Sequence, residues 1–270
     1  MGLDTKTIIK TLEKFTACDV SDALVKKGFK NGGFFPNLIR QSKRTESSAS
    51  STSTSSSSDT ETVTPPMVGF AYTVLFAPYD DPRPEVKGGY IDALPEDCVL
   101  VIGTTRALQV PYHPFTKVNN ALYGGLMSTR ANYLKSKGTV VFGRVRDIDE
   151  HRALNRNVFS YGLGSTAHKP VVKMVGINVP LEIFVDNYPE GTYEVIRPGD
   201  FIVGDDNGVV RLPASYADDP AEESGSAVSP TLQAILEYIP KRVAADELVA
   251  EDIKAGEKAT VAQKHRRQGL

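Results

Sequence analysis

The sequence predicts an α/β fold in which a central β-sheet is flanked by helices, and three observations support this prediction. Short apolar segments typical of buried strands alternate with a helical segment through the middle of the chain. Helical spacing of apolar residues is found near both ends. The chain has 270 residues, 40% of them hydrophobic and 24% charged, which is enough to form one large globular domain with a buried core.

The N-terminal region predicts two helices. Residues 5–15 carry apolar side chains at helical spacing. A second helix is expected from about residue 19, with Asp19 or Ser21 as its N-cap and Gly28 just beyond its end.

The middle of the chain predicts strand, helix and strand in alternation. Three segments are rich in β-branched or apolar residues and predict buried strands: residues 67–76, 98–103 and 139–145. Residues 119–137 place Leu122, Leu126 and Leu134 on one helical face, so a helix that ends before Gly138 is expected.

The C-terminal part predicts more strands and then helix. Residues 179–185 fit a short strand. Residues 201–203 and 209–212 fit a hairpin, because Asn207-Gly208 between them supplies positive φ angles for a tight turn. From residue 231 onward the pattern is helical.

Two polar segments interrupt the single domain predicted for residues 1–270. Residues 41–66 are rich in Ser and Thr and nearly devoid of apolar residues, so a disordered insertion in a surface loop is expected. A regulatory loop that is phosphorylated is the alternative interpretation. Residues 214–229 predict a second polar surface loop.

Charge and composition argue against several classes of protein. Lys and Arg total 31 and Asp and Glu total 33, for a net charge of −2, so there is no cationic surplus for nucleic acid. Cys18 and Cys98 are the only cysteines, too few for a disulfide framework or a cysteine-rich zinc site. No apolar run approaches the roughly 20 residues that span a bilayer, and no secretory signal is visible. We therefore expect a cytoplasmic protein that does not bind nucleic acid or membranes.

Arg146-Asp147 is the most informative pair of residues in the sequence. The pair directly follows the predicted strand 139–145 and so lies at the carboxyl edge of the predicted sheet, where α/β folds bind ligands. An arginine there can bind a substrate carboxylate with two parallel hydrogen bonds. An aspartate is an oxygen ligand that Mg²⁺ or Mn²⁺ accepts. The alternative is a structural ion pair that closes the strand.

A glycine pair forms the second candidate. Gly124-Gly125 precedes Leu126-Met127 in the predicted helix, and glycines allow the backbone to approach a ligand and present free N–H groups to an anion. Close packing of helix against sheet would explain the same glycines. The four histidines show no metal-ligand spacing, and His168, in a loop with glycine and proline, is given no role.

These features together resemble the RraA-like proteins. That family includes 4-hydroxy-4-methyl-2-oxoglutarate aldolases with oxaloacetate decarboxylase activity, and the bacterial regulators of ribonuclease E share its fold. Five segments carry the resemblance: residues 15–24 (FTACDVSDAL), 68–74 (VGFAYTV), 120–154, 177–183 (INVPLEI) and 198–213 (PGDFIVGDDNGVVRLP). The block 120–154 is the most specific, and its GGLM and EHRAL segments look most similar to the fungal branch.

The resemblance implies a fold, an assembly and a set of site residues. It implies a swivelling β/β/α domain that forms homotrimers or homohexamers with sites between protomers. Arg146 would bind the carboxylate of a small 2-oxo acid, and Asp147 would ligate a divalent cation, Mg²⁺ or Mn²⁺, which makes these two the expected catalytic residues. Backbone groups of Gly124, Gly125, Leu126 and Met127 would contact the oxo-acid end of the substrate.

The sequence departs from the family at one position. The bacterial aldolases have an acidic residue directly after the first glycine of the turn, whereas this chain has Gly125. Five residues are candidates to replace it: Asp149, Glu150, His151, and Asp205 and Asp206, the last two from the same or a neighbouring subunit. Oxaloacetate has no hydroxyl group to deprotonate, so decarboxylation is expected to be the better preserved activity.

The expected function is therefore a metal-dependent lyase that releases pyruvate from a 2-oxo dicarboxylic acid. Two alternatives remain open at this point. One is a regulatory or binding protein without catalytic activity on the same scaffold, since fold does not determine function. The other is a related lyase that acts on a larger substrate in specialised metabolism.

Overall fold

One large sheet organises the chain in the computed structural model, which describes residues 4–42, 66–185, 191–215 and 230–270. The described helices are α1 (Thr5–Leu12), α2 (Ala17–Lys26), α3 (Gly125–Tyr133), α4 (Ile148–Ala153), α5 (Pro230–Lys254) and α6 (Ala259–Arg266). Short 3₁₀ turns span Tyr90–Ala93 and Arg106–Leu108.

The described strands are β1 (Phe34–Phe35), β2 (Ile39–Arg40), β3 (Met67–Pro78), β4 (Cys98–Thr104), β5 (Ala121–Tyr123), β6 (Gly138–Val145), β7 (Asn157–Leu163), β8 (Val172–Ile177), β9 (Leu181–Val185), β10 (Thr192–Ile196), β11 (Phe201–Asp205) and β12 (Gly208–Leu212).

The large sheet has the strand order β1-β12-β11-β3-β4-β6-β7-β2, and in addition β5 pairs with β6 and β8 pairs with β3. Its centre, β3-β4-β6-β7, is parallel, as is the pairing of β5 with β6. The other pairs are antiparallel, and β9 and β10 form a separate two-stranded sheet. The predicted α/β architecture with a central sheet flanked by helices is confirmed.

Three apolar clusters hold these layers together. Leu24 of α2 and Leu236 of α5 pack against β3, β11 and β12 in the first. Leu181 of β9 belongs to the second, between the small and large sheets. Leu122 of β5 and Ile102 of β4 belong to the third, which includes residues of α3. Each of these side chains is at most 5% exposed, so each cluster contributes hydrophobic stabilisation.

The helix predicted for residues 119–137 is wrong in its first half. Ala121–Tyr123 forms strand β5 beside the end of β6, and α3 begins only at Gly125. Leu122 is 2% exposed within the sheet, whereas Leu126 is 74% exposed, so they do not share a buried helical face. Pairing with β6, which depends on distant residues, has overridden the local helical spacing.

Two local details also differ from expectation. The N-cap of α2 is Thr16, and Asp19 closes a capping box with it rather than serving as the cap itself. In the β11–β12 hairpin Gly208 has a φ of 132°, but Asn207 is not among the residues with positive φ. The reason is that the Asp205 carboxylate accepts a hydrogen bond of 2.8 Å from the Asn207 N–H, which forms an Asx turn.

The two predicted polar insertions lie mostly outside the described residues, in segments 43–65 and 216–229. At the border of the first, Gln41 donates its N–H to the Val158 carbonyl at 2.8 Å, beside β7. At the border of the second, Ala214 donates its N–H to the Asp200 carboxylate at 3.1 Å. Within the described residues, no helix is both long and apolar enough to cross a membrane.

Candidate active site

The parallel pairing of β5 with β6 brings the two candidate motifs together. Tyr123 at the end of β5 lies opposite Val145 at the end of β6. The next residues, Gly124 and Arg146, therefore leave the sheet at the same edge. The Arg146 N–H donates to the Tyr123 carbonyl at 3.0 Å, which fixes the two chain segments side by side. The expected position of Arg146-Asp147 at the carboxyl edge of the sheet is what the structure shows.

Asp147 has an unusual backbone conformation. Its φ of 61° and ψ of 48° are left-handed, and it is the N-cap residue of α4. Such a conformation costs most residues other than glycine about 1 kcal/mol, but Asp and Asn adopt it more readily. The conformation brings the carboxylate to the turn after β5, where Oδ2 accepts the Gly125 N–H at 3.0 Å. Arg146 Nε lies 3.3 Å from the same oxygen.

Gly124 allows these side chains to approach the turn closely. A methyl group on residue 124 would lie 2.7 Å from Asp147 Oδ2 and 3.1 Å from Arg146 Nε. The φ of Gly124 is −146°, an extended value that any residue adopts, so glycine is needed here for space and not for backbone freedom. The glycine turn and the Arg146-Asp147 pair thus form one packed unit.

The same unit forms the wall of a cavity of about 230 Å³. Its lining residues come from four segments of chain: Tyr90; Ala121, Leu122, Tyr123, Gly124, Leu126 and Met127; Arg146 and Asp147; Ala167 and His168. The side chains of Arg146 and Asp147 are 39% and 34% exposed. Their ion pair therefore lies at a cavity wall, open to a ligand, and not in the interior.

A second cavity of about 440 Å³ adjoins the first, and the two share Tyr90, Met127 and His168. Glu85, Lys87 and Lys169 give the lining of the second cavity a charged part. Lys169 Nζ pairs with Glu85 at 3.0 Å. A ligand bound at Arg146 could therefore extend past His168 toward these charged groups.

Two ionisable side chains of the shared wall are kept neutral. Burial lowers the pKa of His168, and the Lys169 and Arg146 cations lower it further. Burial also raises the pKa of the Tyr90 hydroxyl. At neutral pH the wall therefore presents a neutral imidazole and a protonated phenol, so Arg146 is the cation of the first cavity.

A buried network of hydrogen bonds connects the elements that carry the site. Ser128 of α3 bonds His151 Nδ1 at 2.8 Å and donates to the Tyr123 hydroxyl at 3.0 Å. His151 is fully buried, stacks on the Tyr123 ring and has a pKa lowered by burial. Thr139 of β6 donates to the same hydroxyl at 3.2 Å and links it to Arg156. These contacts hold α3, α4 and β6 in fixed relation.

The residues predicted for substrate binding divide into two groups. Gly124, Leu126, Met127 and Arg146 line the first cavity, as does Asp147. Gly125 is buried and instead holds Asp147 through its N–H. Sequence reasoning missed Tyr90 and gave His168 no role. No local sequence pattern places His168 at the site. Its position depends on the folded structure, because the neighbouring residue Ala167 pairs with Ala121 of β5.

The candidates to replace the acidic group have different environments. Asp149 is 94% exposed in its side chain and pairs with Arg152. Asp205 accepts the Ala17 N–H at 2.8 Å, and Asp206 pairs with Arg40 at 3.0 Å. Glu150, in contrast, lies against Gly125 of the turn.

The donor set suits a hydrated divalent cation better than an ion enclosed by protein. Within the described residues, no group of three His, Cys, Asp or Glu side chains could hold a metal ion. Both contacts of the Asp147 carboxylate use Oδ2. Mg²⁺ usually keeps several waters and binds through one or two carboxylates plus substrate oxygens, so Asp147 at the cavity wall fits such an ion.

The family of the chain is established by a family model. The model described as RraA-like (Aldolase/RraA) matches residues 17–211. The chain belongs to the RraA-like family. The match includes both the glycine turn and Arg146-Asp147, so the candidate site lies in the part of the chain that defines membership.

Two relatives of this RraA-like chain are similar over part of its length. Protein DlpA of Legionella pneumophila is 30% identical over 149 residues, which cover 54% of this chain and 21% of DlpA. A protein of Halalkalibacterium halodurans, provisionally named a 4-hydroxy-4-methyl-2-oxoglutarate aldolase, is 34% identical over 135 residues, 46% of this chain and 59% of that protein. The chain thus spans less than two thirds of the length of either relative.

Two solved structures share the RraA-like fold. One, of an uncharacterised protein from Pseudomonas syringae pv. tomato, has a TM-score of 0.67 at 22% identity and covers 97% of this chain and 99% of its own. The other is RraAS2 of Streptomyces coelicolor, described as an unusual member of the RNase ES inhibitor RraA protein family. It has a TM-score of 0.60 at 16% identity and covers 90% and 96%. At these identities the likeness concerns the fold.

Proposed function

We propose that this RraA-like protein is a divalent-metal-dependent lyase that cleaves a carbon–carbon bond of a 2-oxo dicarboxylic acid and releases pyruvate. The reaction would be aldol cleavage of 4-hydroxy-4-methyl-2-oxoglutarate, decarboxylation of oxaloacetate, or both. One observation carries the proposal: a forked cation, Arg146, and a carboxylate, Asp147, meet the glycine turn at one small cavity.

Each part of the cavity wall has a role in this proposal. The Arg146 guanidinium binds the carboxylate of the pyruvyl fragment through parallel charge-assisted hydrogen bonds. Gly124, Leu126 and Met127 lie along the oxo-acid end of the substrate, and Gly125 holds Asp147 in place. Asp147 would hold Mg²⁺ or Mn²⁺, which when bound supplies a Lewis acid for the 2-oxo group.

Arg146 also acts during bond cleavage. Breaking the bond next to the ketone leaves the enolate of pyruvate, and the fixed positive charge of Arg146 stabilises the negative charge that develops there. Apolar side chains of Leu122 and Met127 line the same cavity, so the charge would develop in surroundings less polar than bulk water, which strengthens this interaction.

The second cavity provides room for the remainder of the substrate. Lys87 and Lys169 line it, and Lys169 pairs with Glu85, so the second carboxylate of a dicarboxylic acid would meet the positive charge of Lys87. Its volume of about 440 Å³ also admits a larger 2-oxo acid, as the alternative of a lyase in specialised metabolism requires.

The comparisons support an enzyme of this class. The chain belongs to a family whose description includes aldolases, and a relative at 34% identity is provisionally named as one. RraAS2 is described as a member of the RNase ES inhibitor RraA protein family. A binding function without catalysis is therefore the competing possibility.

We also propose that the protein assembles as a homotrimer or homohexamer. Leu126 and Tyr133 of α3 are each 74% exposed although they are large and apolar, and Leu126 also lines the first cavity. A neighbouring protomer that covers them would complete the site. Light scattering should give the mass of three or six chains, and a monomeric mass at micromolar concentration would contradict this part.

The direct test is pyruvate release from both substrates with Mg²⁺, with Mn²⁺ and after treatment with EDTA. We expect pyruvate from at least one substrate, its loss on chelation and its return when the cation is restored. Full activity in the chelated sample would contradict the metal dependence. Failure to release pyruvate from either substrate with added cation would contradict the lyase and favour the binding function.

A further inference from the structure

Glu150 occupies the volume in which a side chain of residue 125 would lie. A methyl group built on Gly125 would overlap the Glu150 carboxylate, and it would lie only 2.7 Å from Glu150 Cβ. Contacts this short do not occur between ordinary side chains, so a larger residue at position 125 and the present position of Glu150 exclude each other. The carboxylate of Glu150 thus takes the place that a side chain on the glycine turn would fill.

The local structure explains why Glu150 reaches this position. Glu150 lies one turn after Asp147, and its N–H donates to the Asp147 carbonyl at 3.1 Å as α4 begins. The left-handed conformation of Asp147 turns the chain so that α4 starts beside the glycine turn. As a result Gly125 contacts two carboxylates: Asp147 through its N–H and Glu150 over its Cα.

Glu150 does not line either cavity, but it adjoins Gly125 of the glycine turn. The residue is exposed, and within the described part of the chain its carboxylate has no hydrogen bond or ion pair. Its neighbour Asp149 points away and pairs with Arg152, and His151 is buried beneath the site. Of the three acidic or imidazole groups of α4, Glu150 is the one beside the turn.

We propose that Glu150 is the proton acceptor for aldol cleavage, which rests on the proposed lyase function. The hydroxyl proton of 4-hydroxy-4-methyl-2-oxoglutarate passes to the Glu150 carboxylate, and the O–H electron pair forms the carbonyl of the first pyruvate. The electron pair of the broken carbon–carbon bond forms the enolate bound at Arg146. Glu150 then returns the proton to the enolate carbon, which gives the second pyruvate and restores the ionised carboxylate.

This assignment changes the expectation for the two substrates. The presence of glycine at position 125 alone favours decarboxylation, since oxaloacetate has no hydroxyl proton to remove. Because the Glu150 carboxylate occupies the volume beside residue 125, it is available to accept the hydroxyl proton in aldol cleavage. Decarboxylation has no such proton to remove, so the two reactions differ in their dependence on Glu150.

The test separates the two reactions in Glu150→Gln, with Asp149→Asn as the matched control. We expect Glu150→Gln to reduce kcat for aldol cleavage by about 10²-fold or more, the usual contribution of a positioned acid or base. Decarboxylation of oxaloacetate should fall far less, and Asp149→Asn should leave both rates close to those of the wild type. Mn²⁺ affinity, measured by calorimetry, should be retained in Glu150→Gln, since the role concerns a proton.

A second set of variants displaces the carboxylate of residue 150 or moves a carboxylate to residue 125. Gly125→Ala should displace Glu150 and reduce aldol cleavage although no carboxylate is removed. Gly125→Asp combined with Glu150→Ala puts a carboxylate into the same volume from the other side and should recover part of the lost aldol rate. Thermal unfolding gives a readout independent of activity: Gly125→Ala should lower the midpoint in the wild type and lower it less when Glu150 is alanine.

Each outcome is decisive. Equal loss of both reactions in Glu150→Gln, or loss of Mn²⁺ affinity, would overturn the proton role in favour of a positioning or ligand role. An unchanged aldol rate would overturn it outright. If the wild-type protein released no pyruvate from either substrate, both the proposed function and the role of Glu150 would be overturned. The assay of the wild type alone separates this outcome from a failure of the Glu150 proposal only.

Discussion

Replacing Arg146 by alanine should lower kcat/KM for both substrates by about 10²–10³-fold, equivalent to about 3–4 kcal/mol of transition-state stabilisation. The reason is that the guanidinium has two tasks in this account, binding the pyruvyl carboxylate and stabilising the enolate. Arg146→Lys keeps the charge but not the forked geometry, so an intermediate loss is expected. Steady-state kinetics of pyruvate release, with an independent titration of pyruvate affinity, would measure both effects.

The matched control is Arg152→Ala. Arg152 belongs to α4, is 40% exposed in its side chain and pairs with Asp149 outside the cavity lining. Its removal should change kcat/KM little, because surface ion pairs contribute little and no substrate contact is lost. If Arg146→Ala and Arg152→Ala had similar small effects, the assignment of Arg146 as the carboxylate-binding residue would be wrong.

Replacing Asp147 by asparagine should abolish measurable turnover, a loss of about 10³-fold or more, together with cation binding. Asparagine tolerates the left-handed conformation at φ 61° and keeps an oxygen that can accept the Gly125 N–H, so the local fold should persist. The variant therefore removes the negative charge with little structural change. Pyruvate release and Mn²⁺ calorimetry on the same preparation would report both losses.

Asp147→Ala serves as the comparison for this prediction. It removes the charge and also the tolerance for positive φ, so it should lose about 1 kcal/mol of folding stability in addition to activity. Chemical denaturation would resolve this difference from Asp147→Asn. An Asp147→Asn protein that binds Mn²⁺ as the wild type does would contradict the role of Asp147 as the cation ligand.

The sheet edge was predictable because its signal is local. The apolar residues Val140, Val141 and Phe142 lie shortly before Arg146, and a strand that ends in Arg-Asp places both charges at the carboxyl edge of a sheet, although a structural ion pair would give the same pattern. Strand β6 accordingly runs over Gly138–Val145, and Arg146 and Asp147 lie at the cavity. The same applies to the long C-terminal helix, whose apolar spacing does not depend on a partner strand.

The glycine turn was only partly predictable. Residues 121–123 share a helical spacing of apolar side chains with residues 126–134, but they pair with the end of β6, a contact that only the folded sheet supplies. Strand β7 was not predicted either, because the polar residue Ser160 interrupts its apolar residues. Several of its side chains are only half-buried, so its apolar pattern is weak. Segments whose conformation depends on pairing are those that local patterns describe least well.

The rest of the cavity wall comes from chain that is distant in sequence. Tyr90 reaches the site from a short 3₁₀ turn, and His168 reaches it from the loop after β7. Neither segment has a periodic pattern, and no local rule links them to Arg146. The position of Glu150 over Gly125 is of the same kind, since it depends on the conformation of Asp147 and on the start of α4.

In the proposed function, Asp147 and Arg146 jointly hold a divalent cation and a 2-oxo acid at the edge of the sheet. The most direct measurement is a crystal structure with Mn²⁺ and pyruvate, in which anomalous scattering locates the metal. We predict an anomalous peak bonded to the Asp147 carboxylate and a pyruvate carboxylate hydrogen-bonded to the Arg146 guanidinium. A peak at other residues, or pyruvate bound away from Arg146, would contradict the account.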